Sequence, residues 1–438
     1  MNRAFLLGLL VATGCVHADR EHSRLAETWS RPSHAEAEAE TEAEAEAETF
    51  DRRRMIAAYL QASPELHAFD AEVEARLARI DVAGTLEAPE LMVQSWNIPF
   101  RRPYALDEAS MWMAIVTQRF EPRGVRGDRV REASAEAQAV FAERASVALE
   151  VAGRAASDHA AIATLDQTLA ARAATLAAYA SLVTASEALV AGGRVDARML
   201  VETRATKARI EAAIAGGLAR RSALARNANV RMARPSDAPL TVVVDDGAID
   251  VSVVRDRLAN HPAFQTNDAR IEAARARRDA AVHASRRPSV TAGLGVYEEP
   301  HAGVGYGFQV GLSLPWLGGR ARAERRMADA ELARAEAERS IAERGVAVEL
   351  ESALAELAAA DAALRAIDET SLPALEASAR ATESGLASGA TSVRDVIAVH
   401  TQLAELRLER AEWLGARLLA EASLQAWLAM LTSDEGAR

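Results

Sequence analysis

Tyr306-Gly-Phe-Gln-Val-Gly-Leu-Ser-Leu-Pro-Trp-Leu-Gly-Gly-Arg320 contains a strand, a stop and the start of a very long helix. Phe308, Val310, Leu312 and Leu314 alternate with Gln309, Gly311 and Ser313. That is the two-residue period of a strand with one apolar and one small or polar face. Pro315 ends the strand, and after Gly318-Gly319 the chain turns rich in Ala, Glu, Arg and Leu, with no Gly before Gly345 and no Pro before Pro373. Those are good helix formers, so a thin ribbon feeds directly into a rod.

The same plan is predicted upstream. Ser63-Pro64 matches His261-Pro262, Pro89 matches Pro288, Gly124 of Pro122-Arg-Gly124 matches Gly318, and Ala191-Gly-Gly193 matches Ser388-Gly-Ala390. The offsets are 198, 199, 194 and 197 residues, a spacing too regular for chance. Each copy reads helix, strand, loop, strand, long helix, break, helix. The expected divisions are 1–14 signal peptide, 15–50 acylated terminus and spacer, 51–240 first repeat, 241–432 second repeat and 433–438 tail.

The second hairpin is the cleaner one: Val290, Ala292, Leu294 and Val296 alternate with Thr291, Gly293 and Gly295. A strand with one apolar and one small face suits a wall between lipid and water. Tyr297 and Tyr306 fall at the loop ends, where interfacial aromatics are expected. The first hairpin, over Leu91–Ile98 and Met111–Arg119, alternates less regularly. A soluble two-stranded ribbon is the alternative for both.

Between these landmarks the helices are long. Val125 to Ala188 spans roughly 95 Å at 1.5 Å per residue, with a soft spot expected at Gly153. Val346, Leu350, Leu354, Leu357 and Leu364 form one seam, and Val396, Val399, Leu403, Leu406 and Trp413 another, at coiled-coil intervals. Pro373 should kink its helix or join two half-helices.

Met1–Gly14 has Arg3, an apolar run from Ala4 to Ala12 and small residues before Cys15, the pattern of a bacterial secretory signal. Ala12-Thr-Gly-Cys15 resembles a lipobox, which implies cleavage before Cys15 and its acylation; Val16 is compatible with outer-membrane sorting. An ordinary signal peptide with Cys15 beside the cut is the alternative. Ala35–Glu48 carries seven glutamates in near-strict alternation with alanine and reads as a solvated spacer.

The totals exclude several functions. Aromatics are 4% of the 438 residues, the formal charge is −12 and no basic stripe stands out, so nucleic-acid binding is not expected. Cys15 is the single cysteine, which excludes an intrachain disulfide and a thiolate metal site. His67, His159, His261, His283, His301 and His400 are scattered without an HExxH, a serine elbow or a phosphate loop. No catalytic residue, metal ligand or cofactor is expected. Nor is there an apolar run of about 18 residues, so a bilayer crossing would use strands.

The duplicated order, the Leu314-Pro-Trp-Leu-Gly-Gly-Arg320 turn and the Ala387-Ser-Gly-Ala-Thr-Ser-Val-Arg-Asp-Val-Ile397 stretch together resemble the TolC-like outer-membrane efflux protein family over residues 51 to 432. Thr117-Gln-Arg-Phe-Glu-Pro-Arg-Gly124 also resembles the turn of its cation-efflux branch, departing at Phe120-Glu121. The resemblance implies a mainly α fold with a small β part: a long α-helical coiled-coil barrel, and four strands per protomer given to a trimeric twelve-stranded transmembrane β-barrel. It further implies a passive conduit for metal cations or drugs, working with an inner-membrane transporter and a periplasmic adaptor. Pro122, Gly124, Pro315, Gly318 and Gly319 would be the strand–helix turns, and Gly192, Gly193, Gly389, Thr391 and Ser392 the tips that meet the adaptor. Asp395 matches the first of two pore-facing aspartates; Ala398 stands where the second would be. Read without the resemblance, such breaks simply turn helical hairpins, and an aspartate in a first turn is favoured by the helix dipole. The rival function is a lipid-anchored periplasmic coiled-coil scaffold that conducts nothing.

Overall fold

The computed structural model describes residues 18–27, 29, 49–96, 98, 100–102, 109–193, 196–244, 251–258, 261–299 and 303–432. The signal peptide, Cys15, the Ala-Glu spacer and the tail after Thr432 lie outside the described residues. The elements run α1 (18–27), β1 (Thr49–Phe50), α2 (Arg52–Ala62), α3 (Pro64–Gly84), β2 (Glu90–Trp96), β3 (Met111–Phe120), α4 (Val125–Ala191), α5 (Ala197–Arg231) and β4 (Thr241–Val242). There follow α6 (Val251–Arg257), α7 (Pro262–Arg286), β5 (Ser289–Glu299), β6 (Gly303–Ser313), α8 (Arg320–Ala366), a π-helical turn (Ile367–Ser371), α9 (Leu372–Ser388) and α10 (Val393–Thr432). The order helix, hairpin, long helix, break, helix thus occurs twice, and the fold is mainly α with four long strands.

The chain forms two compact units, each drawing on both halves of the sequence. One contains α1, most of α3, the first turns of α4, α7, the start of α8 and a four-stranded sheet of order β2-β3-β5-β6, antiparallel throughout. Its core is Val73, Leu77 and Ile80 of α3 against Val130, Ala133 and Ala137 of α4. Alanine at the α4 positions lets the helix backbones approach closely. The sequence reading did not foresee α1. It adds Ala18 and Leu25 to that core, and just beyond it Trp29 stacks on Phe141 at 5.4 Å. Arg277 of α7 pairs with Glu132 and Glu136 of α4 and Glu331 of α8, at 2.7, 3.1 and 3.3 Å.

The other unit holds α2, the rest of α4, α5, α6, the end of α8, α9 and α10. Its core gathers around Phe50, fully buried with Met55, Tyr59, Ala152, Ala155 and Ile162. Thr49 and Phe50 pair in parallel with Thr241 and Val242, so the segment before α2 is stitched to the segment after α5. Val346, Leu350 and Leu364 of the first expected seam are buried, as are Val396 and Leu403 of the second.

His159, 1% exposed, sits beside this ribbon and donates from Nε2 to the Val243 carbonyl at 3.1 Å. Burial holds its pKa below 6.5, and the Arg52 charge adds to the effect. In the unfolded chain the group titrates near ~6.5. As pH falls through that value the unfolded state takes up a proton that the native state refuses, so stability declines; above it His159 contributes no pH dependence. Urea melts at pH 7.5 and 5.5 should therefore diverge less for His159→Gln than for the wild type.

Two expectations about helices need correction. α4 is continuous for 67 residues and passes through Gly153 unbroken, because a helix tolerates an isolated glycine at a cost of about 1 kcal/mol. The same helix contains a window of mean hydropathy 1.4, long and apolar enough by length and composition to cross a membrane. Scattered alanines raise that mean without forming a contiguous apolar run. Pro373 does mark a junction: it lies at the start of α9, directly after the π turn Ile367–Ser371. Proline lacks the N–H an α-helix needs there, and the extra residue of a π turn accommodates the loss.

Candidate functional site: a two-faced sheet and two helix breaks

Register assigns every strand residue to a face. Leu91 pairs with Val116, Val116 with Leu294, and Leu294 with Phe308. One step along, Val93, Ala114, Val296 and Tyr306 form the next row, and Ala292 and Val290 face Val310 and Leu312. Apart from Gln118 toward the helices and Ser95 and Glu298 at the loop end, this face is apolar across all four strands, and its side chains are uncovered: Leu294 is 66% exposed, Val310 65% and Phe308 83%. Between them lies the opposite face, where Thr117, Gly293 and Gln309 make one row and Arg119, Thr291 and Gly311 another. Soluble proteins rarely expose so large a continuous apolar patch. Strands of 11 residues rise about 36 Å, enough to cross an apolar band of about 25 Å when tilted by ~40°.

The rims of the apolar face are aromatic. Trp112 and Tyr306 stand toward the loop ends, and Trp316, 53% exposed, lies in the turn at the other end. Tyr297 is also at the loop end. Register puts it on the opposite face, where its ring crosses Gly305; a Cβ there would lie 2.4 Å from the ring. An aromatic laid over a cross-strand glycine shields backbone that glycine leaves bare. Gly305→Val should displace that ring and weaken the β5–β6 ribbon, measured as faster amide exchange in both strands.

Both strand–helix turns use left-handed glycine. Gly124 has φ +101 and follows Pro122, whose carbonyl accepts from the Val125 N–H at 3.2 Å. Gly318 has φ +118, and the Gly319 carbonyl accepts from Ala323 N–H at 3.0 Å. Pro315 follows β6 after Leu314, supplying no ladder donor where the ladder must stop. Around the first turn the buried Asp128 carboxylate takes His283 Nδ1 and the Arg131 guanidinium, and Arg287 donates to the Arg123 carbonyl at 2.6 Å.

Both helix breaks turn on a left-handed glycine. α4 ends at Gly192-Gly193, with Gly193 at φ +68 and its N–H on the Val190 carbonyl at 3.0 Å; three residues on, Asp196 caps α5 by accepting from Arg198 N–H. α9 ends at Gly389, φ +79, with its N–H on the Leu386 carbonyl at 3.1 Å and the Ala390 N–H on the Gly385 carbonyl at 2.7 Å. Three residues on, Ser392 caps α10. At the second break this is a Schellman end followed directly by an N-cap, which satisfies the loose groups of two helices within a few residues. Thr391 folds back, its hydroxyl donating to the Thr382 carbonyl at 2.8 Å.

Asp395 belongs to that cap. Its carboxylate accepts from the Ser392 hydroxyl at 2.7 Å and the Ser392 N–H at 3.1 Å, while its own N–H returns to the Ser392 hydroxyl at 3.3 Å. The Ser392 hydroxyl and N–H hold its pKa below the ordinary 3.8. Ser392→Ala should let it rise toward 3.8, read by carboxyl NMR titration. Among the described residues no group of three His, Cys, Asp or Glu could hold a metal ion.

Residues 253–429 match the family model described as outer membrane efflux protein. The second half of the chain is thus similar in sequence to outer membrane efflux proteins. Solved structures extend the likeness in fold to most of the chain. VceC of Vibrio cholerae is 18% identical, with 86% of this chain and 95% of that chain covered and a TM-score of 0.68. CusC, described with its transmembrane channel formation, is 16% identical over 86% and 91%, with a TM-score of 0.68. The Campylobacter jejuni CmeC outer membrane channel is 10% identical over 86% and 85%, with a TM-score of 0.65. No curated protein matches by sequence. The fold is thus TolC-like over most of the chain, including the first half, where periodicity is less regular.

Proposed function

We propose that this chain is the outer-membrane channel subunit of a tripartite efflux system, a passive conduit for metal cations or drugs handed on by an inner-membrane pump and a periplasmic adaptor. One observation carries the reading: a four-stranded sheet with an exposed apolar face and, at β2 and β6, two edges unpaired among the described residues. An open edge in lipid leaves backbone groups unsatisfied at several kcal/mol each. Four strands of this kind become stable in a membrane by joining the strands of other copies, and three copies give a twelve-stranded barrel.

The remaining roles belong to the same proposal. Residues 51–240 and 241–432 act as equivalent repeats after a signal peptide at 1–14, and acylated Cys15 tethers the chain to the outer membrane through the 15–50 segment. The breaks at Gly192-Gly193 and at Gly389, Thr391 and Ser392 dock the adaptor. Asp395 lines a gate: three carboxylates about one axis repel each other and favour cations. Its bond to Ser392 supports this, because a cap keeps the carboxylate ionised and fixed.

The test is to reconstitute the full chain in planar bilayers, count subunits by crosslinking and record current for the wild type and Asp395→Ala. Crosslinked trimers that conduct, more so in Asp395→Ala, are expected. Stable oligomers that stay silent in both would favour a scaffold.

A further inference from the structure

The sheet face opposite the apolar one is not uniformly polar. Along β5 and β6 it is glycine, threonine and glutamine, but along β2 and β3 it carries Met92, Met111 and Met113, with Trp96. Register sets Met113 opposite both Gln94 and Tyr297, and Met111 opposite Trp96, so these side chains stand within cross-strand reach of one another toward the loop end. Gln94 turns its amide to the Met92 sulfur at 2.9 Å, which keeps that thioether on this face. Trp96 is 52% exposed and Met92 41%.

Charge on the same face is one-sided at that end. Strand alternation gives it Glu299, two residues beyond Tyr297. Arg119 is the only basic residue of the four long strands and belongs to the opposite, helix-proximal end; Arg101 and Arg102 belong to the segment between β2 and β3. Methionine is soft and adapts to many apolar shapes, and indole and phenol rings attract cations over their faces.

We infer that Met92, Met111, Met113, Trp96, Tyr297 and Glu299 form a contact site for organic cations with an aromatic or alkyl body. The inference rests on the conduit reading, in which this face lines the lumen. The thioethers and rings take the apolar body, and Glu299 with the rings takes the charge. Such a site slows amphiphilic cations at the outer mouth and leaves small hydrated ions untouched.

Equilibrium binding tests it without depending on current, so its failure and the failure of conduction are separable. The full chain in nanodiscs of neutral lipid is titrated with propidium, an aromatic cation that does not cross bilayers, followed by its fluorescence. Four proteins are compared: wild type, Met92→Gln/Met111→Gln/Met113→Gln, the same three positions to Leu, and Glu299→Gln. Loss of three apolar contacts should weaken binding roughly tenfold in the Gln triple variant. Loss of the one charge should weaken it about threefold. The Leu triple variant should bind like wild type. Tetramethylammonium, which has no apolar body, and naphthalenesulfonate, an aromatic anion, should not compete. Equal affinity in all four proteins would overturn the inference. So would loss of binding in the Leu triple variant, which would assign the site to thioether coordination instead.

Discussion

Arginine at both Leu294 and Phe308 is expected to abolish membrane insertion. The two residues are direct partners near the middle of β5 and β6, 66% and 83% exposed on the apolar face. An arginine on the lipid side of a barrel costs about 2–4 kcal/mol near the midplane, so the pair costs roughly 4–8 kcal/mol. That is comparable with the whole stability of a domain, about 5–15 kcal/mol. Gln309→Arg is the matched control, next along β6 but on the opposite face, where water would solvate it. After refolding into vesicles, the double variant should be extracted by urea while Gln309→Arg stays inserted. Equal extraction of the two would mean that the faces do not differ in solvent.

The second large effect concerns a pair 369 residues apart. Arg52 at the start of α2 and Glu421 near the end of α10 are each 4% exposed and meet at 3.1 Å, and Arg417 bridges Glu421 to Asp361 at 3.0 and 3.2 Å. Two buried charges gain little over a well-packed apolar pair, yet removing one strands the other in a low dielectric. Glu421→Ala should therefore cost about 3–5 kcal/mol, while Arg52→Met/Glu421→Leu should lie near the wild type. Denaturant midpoints of the three proteins decide it. If the double variant is as unstable as Glu421→Ala, lost packing rather than stranded charge dominates.

Local periodicity explains what the sequence disclosed. The alternation from Val290 to Val296 and from Phe308 to Leu314 located β5 and β6, and paired prolines and glycines located the turns, because such residues act on the backbone at their own position. Even the irregular first hairpin fell within two residues of β2 and β3. Its irregularity is physical: Met92, Met111, Met113 and Ile115 make the second face apolar as well, so no polar beat marks it. Two-residue strands such as β1 and β4 leave no period at all. The salt bridge of Arg52 with Glu421 and the contact of His159 with Val243 join residues far apart, and no local pattern reports them. Tyr297 lies at the loop end, as its position implied, while its parity with Gly293 and Gly295 sets it on the face opposite Tyr306. Asp395 was legible as a first-turn aspartate, but its bond to Ser392 needed coordinates.

The most direct test of the two-faced sheet is a cysteine scan of β6 from Gly305 to Leu312, in the full chain with Cys15→Ser, reconstituted in vesicles. Each cysteine is offered a membrane-impermeant maleimide from water and, once fluorescently labelled, a quencher confined to the acyl chains. Strict alternation is expected: Tyr306, Phe308, Val310 and Leu312 quenched from lipid, and Gly305, Gly307, Gln309 and Gly311 labelled from water. Uniform labelling of all eight from water, with no lipid quenching, would contradict it.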